Sequence, residues 1–305
     1  MSLPSVLKLT HSGQFHADDV MCGAIATLAG YRGPVLRTRS ESLIVSADMV
    51  WDVGGVHHPA THRYDHHQPG GAGAGPTGVP FASAGLMWQS LGEAAVLAVF
   101  DAARVPLTPG DVREIAGRVY GGLIQYIDSI DNGIAVKCPR GFSVAGIISQ
   151  FMPPWFQAQN DDALHAGYDQ AELLATAVLR NAILHAGGSW LAIHACAQGI
   201  PEEQGKLLVL PRSLPWQETV VRTMPNVLYV MYEASGDWRV HAVPSTIGGF
   251  NMRKALPRGW AGLETERLSA ITGVPDTVFC HNNRHLAAAR SQAGARQLAK
   301  LALAA

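Results

Sequence analysis

A chain of 305 residues that is 48% hydrophobic, 15% charged and carries a net charge of −1 at pH 7 is long enough for two cores, and it lacks the excess of Lys and Arg that a long duplex-DNA footprint needs. No apolar stretch reaches the roughly 18 uncharged residues of a spanning helix, and the N-terminus lacks a basic region followed by an apolar segment and a cleavage site. The composition therefore predicts a soluble, cytoplasmic protein with no membrane association.

Apolar runs and helical patterns alternate along the first part of the chain, which is the signature of βαβ units and a parallel sheet. "SVLKLT", from Ser5, reads as a strand, and "DDVMCGAIATLAGY" as the helix after it. "PVLRT" and "ADMVWDVGG" are the next strands, each ending in polar or glycine residues. "ASAGLMWQSLGEAAVLAVF" and "DVREIAGRVYGGLIQYIDSIDNG" read as helices, the second stopped by Asn132-Gly133. The biased loop "QPGGAGAGPTGVP", residues 68–80, reads as flexible. A longer helix, "DDALHAGYDQAELLATAVLRNAILHAGG", ends at a glycine pair. The texture then changes: "SWLAIHACA", "KLLVLP", "NVLYVMYEA" and "WRVHAVP" are short β-rich runs, followed by helical "AGLETERLSAITG" and "QAGARQLAKLALA". This predicts an α/β protein with a first domain over 1–187 and a smaller α+β domain over 188–305.

Charge is segregated along this layout. Positions 1–244 hold 15 Lys and Arg against 21 Asp and Glu, whereas positions 245–305 hold 8 against 3. An acidic first part suits cations, and a basic last part suits an anionic phosphate. Cys22, Cys138, Cys196 and Cys280 form no CxxC pair, so the sequence offers no disulfide framework or thiolate zinc site. They read as small buried apolar residues.

Seven of the thirteen histidines, His11, His16, His57, His58, His62, His66 and His67, lie in the first 67 residues. Imidazoles and carboxylates together suit Mn²⁺, Mg²⁺, Zn²⁺ or Fe²⁺, and the strand-end loops of an open α/β sheet are where such ligands converge. Four clusters fall at the ends of successive elements: "HSGQFHADD", "VWDVGG" with Asp52, "HRYDHHQ" with Asp65, His66 and His67, and "QYIDSIDNG" with Asp128 and Asp131. A single polar residue in a turn most often satisfies backbone groups. Four clusters in this pattern point to a metal site.

The Asp-His-His triplet following a strand-terminal Asp resembles the DHH phosphoesterase superfamily. More narrowly, "THSGQFHADD", "DVGG", "HRYDHHQ", "SAGLMW", "IDSIDNG", "GGFNMRKALPRGWAGL" and "LSAITGVPDTVFCH", in that order from residue 10 to 281, resemble the melanocyte-proliferating-gene (Myg) exonuclease family, also called metal-dependent protein hydrolases. The resemblance implies a mostly parallel N-terminal sheet flanked by helices, a second smaller α+β domain, and an active site in the cleft between them. It also implies two divalent ions, Mn²⁺ first and Mg²⁺ next, with His11 and His16 holding one ion, Asp18 the other, and Asp52 bridging. His66 and Asp128 would complete the second ion. Asp65 and His67 would orient ligands or contact the phosphate. Two ions about 3.5–4 Å apart need such a bridging carboxylate to clamp the attacking and leaving oxygens. Asp19 reads as a helix cap or a further ligand.

In the second domain the resemblance covers "GGFNMRKALP" and "FCHNNRH". Arg253, Lys254, His281 and Arg284 are the candidates to grip a phosphate or nucleotide, with Gly248 and Gly249 allowing close backbone approach. Two departures bear on substrate choice: the glycine-rich loop after the triplet, where family members carry a longer polar segment, and "NNRHLAAARS", where they carry more glycine. The implied activity is that of a metal-dependent phosphodiesterase, a 3'-5' exonuclease on short single-stranded RNA or another nucleotide, in a protein that could pair as a homodimer. The alternatives are a small-molecule phosphatase or pyrophosphatase on the same fold, and a non-catalytic metal or nucleotide sensor.

Overall fold

The computed structural model describes residues 6–137 and 143–305. Cys138, and Ser5 of the predicted first strand, lie outside the described residues. The protein is a mixed α/β chain with two sheets flanked by helices, and it divides into two compact units, Met1–Gly187 and Gly188–Ala305.

In the first unit the elements run β1 (Lys8–Thr10), α1 (Ala17–Leu28), β2 (Val35–Arg37), α2 (Glu41–Ser46), β3 (Met49–Trp51), β4 (His57–His58), β5 (Arg63–Tyr64), α3 (Ser83–Ala102), α4 (Pro109–Val119), α5 (Gln125–Asp131), α6 (Val144–Ile148) and α7 (Asp161–Ala197). The sheet order is β2-β1-β3-β5-β4. Strands β1, β2, β3 and β5 are parallel, and only β4 runs against its neighbour. Leu9, Met49, Val50 and Trp51 are all buried, as expected of strands covered on both faces. Helix α1 buries every residue from Ala17 to Ala26, including two aspartates, which marks it as the core of the unit.

Two expectations need correction. The glycine-rich segment is an ordered turn: Gly75 N–H donates to Val79 O at 2.8 Å, Gly78 N–H to Gly75 O at 2.9 Å, and Phe81 N–H to Gly73 O at 3.0 Å. The strand predicted at 189–197 is the continuation of α7. That helix buries Leu164, Tyr168, Ala171, Ala175, Leu179 and Ile183 and then Ala192 and Cys196, a spacing of three and four that belongs to a helix face. Gly187 does not break it. A Cβ at Gly187 would collide with the Phe100 ring, so glycine here serves close packing rather than a stop.

The second unit continues with β6 (Ile200–Glu202), β7 (Leu207–Val209), α8 (Gln217–Thr223), β8 (Tyr229–Ala234), β9 (Asp237–Ala242), α9 (Thr265–Thr272), β10 (Thr277–Cys280), β11 (Leu286–Ala289) and α10 (Gln292–Ala304). Its sheet order is β10-β11-β9-β8-β7-β6, antiparallel except for β7 beside β8. Alternation along each strand feeds two cores. Leu207, Tyr229 and Met231 face Trp260, Leu268 and Leu298, while Leu208, Val230 and Tyr232 face Trp216 and Val220.

His241 of β9 packs edge-on to Trp216 with ring centroids 5.1 Å apart, and its Nδ1 lies 3.3 Å from the Tyr232 hydroxyl. Burial, with help from His285 and Arg239, pushes its pKa down from 6.5 to about 4. The folded protein thus binds fewer protons here than the unfolded chain once the pH drops below 6.5, so stability falls between pH 6.5 and about 4. His241→Gln should flatten that acid slope, worth roughly 3 kcal/mol, in denaturant melts taken across this range. An unchanged slope would remove His241 as its source.

Candidate metal centre

Because β1, β3 and β5 are parallel, their carboxyl ends lie on one edge of the sheet. His11 stands one residue beyond β1, Asp52 one residue beyond β3, and Asp65-His66-His67 directly follows β5. The chain leaves β1 for β2 on one side and returns with β3 on the other, so His11 and Asp52 flank the switch point where open α/β sheets bind ligands. Asp52 has a φ of 56°, a left-handed conformation that Asp tolerates better than most residues and that turns its carboxylate across the strand ends.

The start of α1 brings in Asp18 and Asp19. Asp18 Oδ2 and Oδ1 accept the Ser83 and Ala84 amides at 3.0 and 2.7 Å, which neutralises the positive end of α3 and locks the carboxylate. Asp19 Oδ1 accepts the His16 and Val20 amides at 2.7 and 3.0 Å. The Asp19 carbonyl is braced by the Trp51 indole at 2.9 Å and the Tyr168 hydroxyl at 3.2 Å. Arg37 holds the loop from outside, donating to Gly13 O at 2.6 Å with its guanidinium 5.5 Å from the Phe15 ring and 5.0 Å from the Tyr168 ring.

Three sets of ligand atoms converge: His11, Asp19 and Asp52; Asp18, His66 and Asp131; and Asp52, His66 and His67. Asp52 joins two of them. Its Oδ2 lies 3.3 Å from His11 Nε2 and its Oδ1 lies 3.6 Å from His66 Nε2. His66 Nε2 also lies 3.2 Å from Asp131 Oδ2 and 4.0 Å from Asp18 Oδ2. His11 Nδ1 donates to Ser12 O at 3.1 Å, so in the neutral ring the Nε2 lone pair faces two carboxylates, Asp52 and Asp19. Lone pair against carboxylate is repulsive until a proton or a cation lies between them.

Electrostatics point the same way. Burial, compounded by Asp52 and Asp131, raises the Asp18 pKa well above the ordinary carboxylate range. Burial raises Asp19 to about 7 despite His11. Asp131 is also raised, by burial and then by Asp52. Burial would raise Asp52 too, but His11 and His66 outweigh it and hold its pKa below the ordinary value. For both histidines burial pulls the pKa down, and the facing carboxylates more than reverse it. Two buried atoms here, Asp19 Oδ2 and His66 Nε2, have no hydrogen-bond partner. Nitrogen and carboxylate donors with unsatisfied buried atoms among them fit a divalent cation. The clustered residues could hold metal ions.

Not every predicted ligand takes part. His16 caps α1, is exposed, and belongs to none of these sets; its ring centroid lies 6.1 Å from that of His11. Asp128, expected as a ligand, belongs to none of these sets and is engaged at the start of α3. Its Oδ1 accepts the Ala82 and Gly85 amides at 3.1 and 3.0 Å and its Oδ2 accepts the Tyr120 hydroxyl at 3.3 Å. A Cβ at Gly85 would collide with that carboxylate, so only glycine admits it. Asp131 meets His66 in its place. Asp65 lies behind the cluster, accepting the Gly55 amide at 2.6 Å through Oδ2 and the His67 Nδ1 proton at 2.7 Å through Oδ1.

The candidate phosphate-gripping residues make contacts of their own within the chain. The Arg253 guanidinium donates to the carbonyls of Met224, Val227, Val220 and Val221, closing the C-terminal end of α8. Lys254 Nζ donates to Leu303 O at 2.8 Å, doing the same for α10. Arg284 donates to Leu256 O at 3.1 Å. His281 is exposed and stacks on His285 at 4.2 Å, and Gly248 turns with a φ of 71° beside Gly249.

An open parallel sheet that gathers imidazoles and carboxylates at its switch point defines an α/β protein with side chains that could hold a metal ion. The chain matches a family model, MYG1_exonuc, described as "Uncharacterised protein family (UPF0160)", over residues 8–303, and it belongs to that family. Among curated relatives, the MYG1 protein of Dictyostelium discoideum is 28% identical over 317 residues, spanning 95% of this chain and 94% of its own. The MYG1 exonuclease of Homo sapiens is 26% identical over 328 residues, spanning 97% and 85%. The MYG1 protein YER156C of Saccharomyces cerevisiae is 28% identical over 326 residues, spanning 97% and 95%. Among solved structures, the pGpG-specific phosphodiesterase PggH from Vibrio cholrae pairs with 97% of each chain at 11% identity, with a TM-score of 0.28 that is too low to support inference.

Asp131 and Asp128 should separate by experiment. Asp131→Asn should weaken Mn²⁺ binding by about tenfold or more in calorimetric titration with the melting temperature kept. Asp128→Ala should instead lower stability by about 1–3 kcal/mol, because it strips two amides at the start of α3 of their partner. The reverse pattern would restore Asp128 as the ligand.

Proposed function

We propose that the protein is a metal-dependent phosphodiesterase, a 3'-5' exonuclease trimming short single-stranded RNA or a similar nucleotide. The observation that carries the reading is Asp52, whose two oxygens face His11 on one side and His66 on the other, as a carboxylate shared by two ions would. Its support from relatives is the name MYG1 exonuclease borne by several mammalian members. His11, Asp19 and Asp52 would hold one ion, and Asp18, Asp52, His66 and Asp131 the other, with Mn²⁺ first and Mg²⁺ next. Bound there, the ions would supply Lewis acidity that activates water and offsets phosphate charge.

The chain's own residues do the rest. Asp65 fixes the His67 ring through Nδ1, which leaves Nε2 of this largely exposed imidazole to contact the phosphate or protonate the leaving oxygen. Amides at the start of α3 keep Asp18 in place as charge changes nearby. We assign the protein to the cytoplasm: Cys22, Cys196 and Cys280 are free, as in a reducing compartment, and among the described residues no helix is long and apolar enough to cross a membrane.

The test is a panel of oligoribonucleotides, dinucleotides, pyrophosphate and phosphomonoesters, assayed with Mn²⁺, with Mg²⁺ and with chelator. Diesters should be cleaved from the 3' end, best with Mn²⁺, and Asp52→Asn should lose at least about a hundredfold in rate while remaining folded. Full activity in chelator, or a preference for monoesters or pyrophosphate, would contradict the reading.

A further inference from the structure

A cavity of about 620 Å³ opens beside the cluster, sharing Asp18 and Asp131 with it and His16 at its edge. Away from those polar residues its wall carries Ile127, Ile130, Ile134 and Val136 with the Phe15 ring, and two serines, Ser143 and Ser149, also line it. Ile127 is buried, but Ile130 and Ile134 remain 38% and 41% exposed. Exposed isoleucines grouped in a concavity are where an apolar ligand surface is expected.

The wall is preformed. Helix α5 ends in a left-handed glycine, Gly133 with a φ of 70°. Gly133 N–H donates to Ile130 O at 3.1 Å, and Ile134 N–H reaches back to Ser129 O at 2.8 Å. This turn fixes Ile134 just beyond the helix that carries Ile130 and Asp131. The hydroxyls on the opposite side are already engaged: Ser149 Oγ donates to Gly146 O at 2.8 Å, and Ser143 Oγ accepts the Gly146 amide at 2.9 Å.

We infer that this cavity receives the nucleobase of the nucleotide whose phosphate would be bound by an ion at Asp18 and Asp131, and that Ile130 and Ile134 favour base-bearing substrates over bare phosphates. The inference rests on the phosphodiesterase reading and deepens it. The cavity shares Asp18 and Asp131 with the cluster, so a substrate bound at the cluster can extend into it, and its volume of about 620 Å³ far exceeds that of a phosphate or pyrophosphate. Nucleobases offer flat apolar faces, which suit an aliphatic wall. Ser149 Oγ keeps free acceptor capacity beside its bond to Gly146 O, so the aliphatic wall meets the face of a base and the polar side of the cavity meets its edge.

The test uses the full chain with diamagnetic Mg²⁺ and isoleucine methyl labels. Titration with AMP should shift the Ile130 and Ile134 methyl resonances, and inorganic phosphate should leave both in place. Equal shifts with both, or none with AMP, would overturn the pocket. In hydrolysis, Ile130→Ser and Ile134→Ser should raise KM for an adenylyl dinucleotide by about tenfold, with little change in kcat and a much smaller loss on pyrophosphate. Ile134→Leu should stay near wild type, which separates lost apolar contact from misfolding. Equal losses on both substrates would also overturn it. A wild-type protein that cleaves nothing would end the phosphodiesterase reading, and the methyl titration would still decide whether the cavity takes a base.

Discussion

Like charge brought out of water is the constraint on which the first unit depends. Asp18, Asp19 and Asp52 are each at most 5% exposed and meet Asp131 at one sheet edge. Carboxylates in that position are costly unless amides, imidazoles or cations compensate them. Helix α3 supplies the amides for Asp18, the turn into α1 supplies them for Asp19, and His11 and His66 face the remaining oxygens. Asp19 Oδ2 and His66 Nε2 have charged neighbours but no hydrogen-bond partner, and they lie where an ion would complete the set.

Much of the surrounding fold serves that arrangement. Parallel pairing of β1, β3 and β5 makes three loops end together. Trp51 and Tyr168 spend their polar atoms on one carbonyl, that of Asp19, which fixes α1 relative to β3 and α7. Five residues in π conformation, Tyr120–Ile124, separate α4 from α5. Such a turn changes the register of everything after it, and here it directs Asp128 to the amides of α3 and Asp131 to His66. Sites of this kind tolerate local strain, as in the left-handed Asp52, because the packed shell over-determines it.

The sequence made the strand ends legible because apolar runs stopped by His or Asp are a one-dimensional signal. His11, Asp18, Asp52 and His66 stand out in that pattern as polar residues at element ends, while their roles as ligands are what the family resemblance implies. The choice between Asp128 and Asp131 was not, since both lie on one helix face and only the π turn before them decides which one points at the cluster. His16 looked like a ligand by spacing, yet its position as the helix cap leaves the ring at the surface. Arg253 and Lys254 show the same limit: a basic pair in a glycine-flanked loop suits a phosphate, but it suits equally the bare carbonyls at two helix ends, and those contacts are made within the chain. Residues 189–197 misled because a helix with small and aromatic residues and a glycine pair before it reads locally as a strand. The pattern of buried positions along α7 settles it only once the partners are in place.

In the proposed site, Asp52 would serve two metal ions. The most direct measurement is electron paramagnetic resonance of the metal-free protein titrated with Mn²⁺ to saturation. Two ions bridged by one carboxylate would give a spin-coupled signal that grows in at the second equivalent and disappears in Asp52→Asn. A single, uncoupled six-line Mn²⁺ spectrum at every loading would contradict the account.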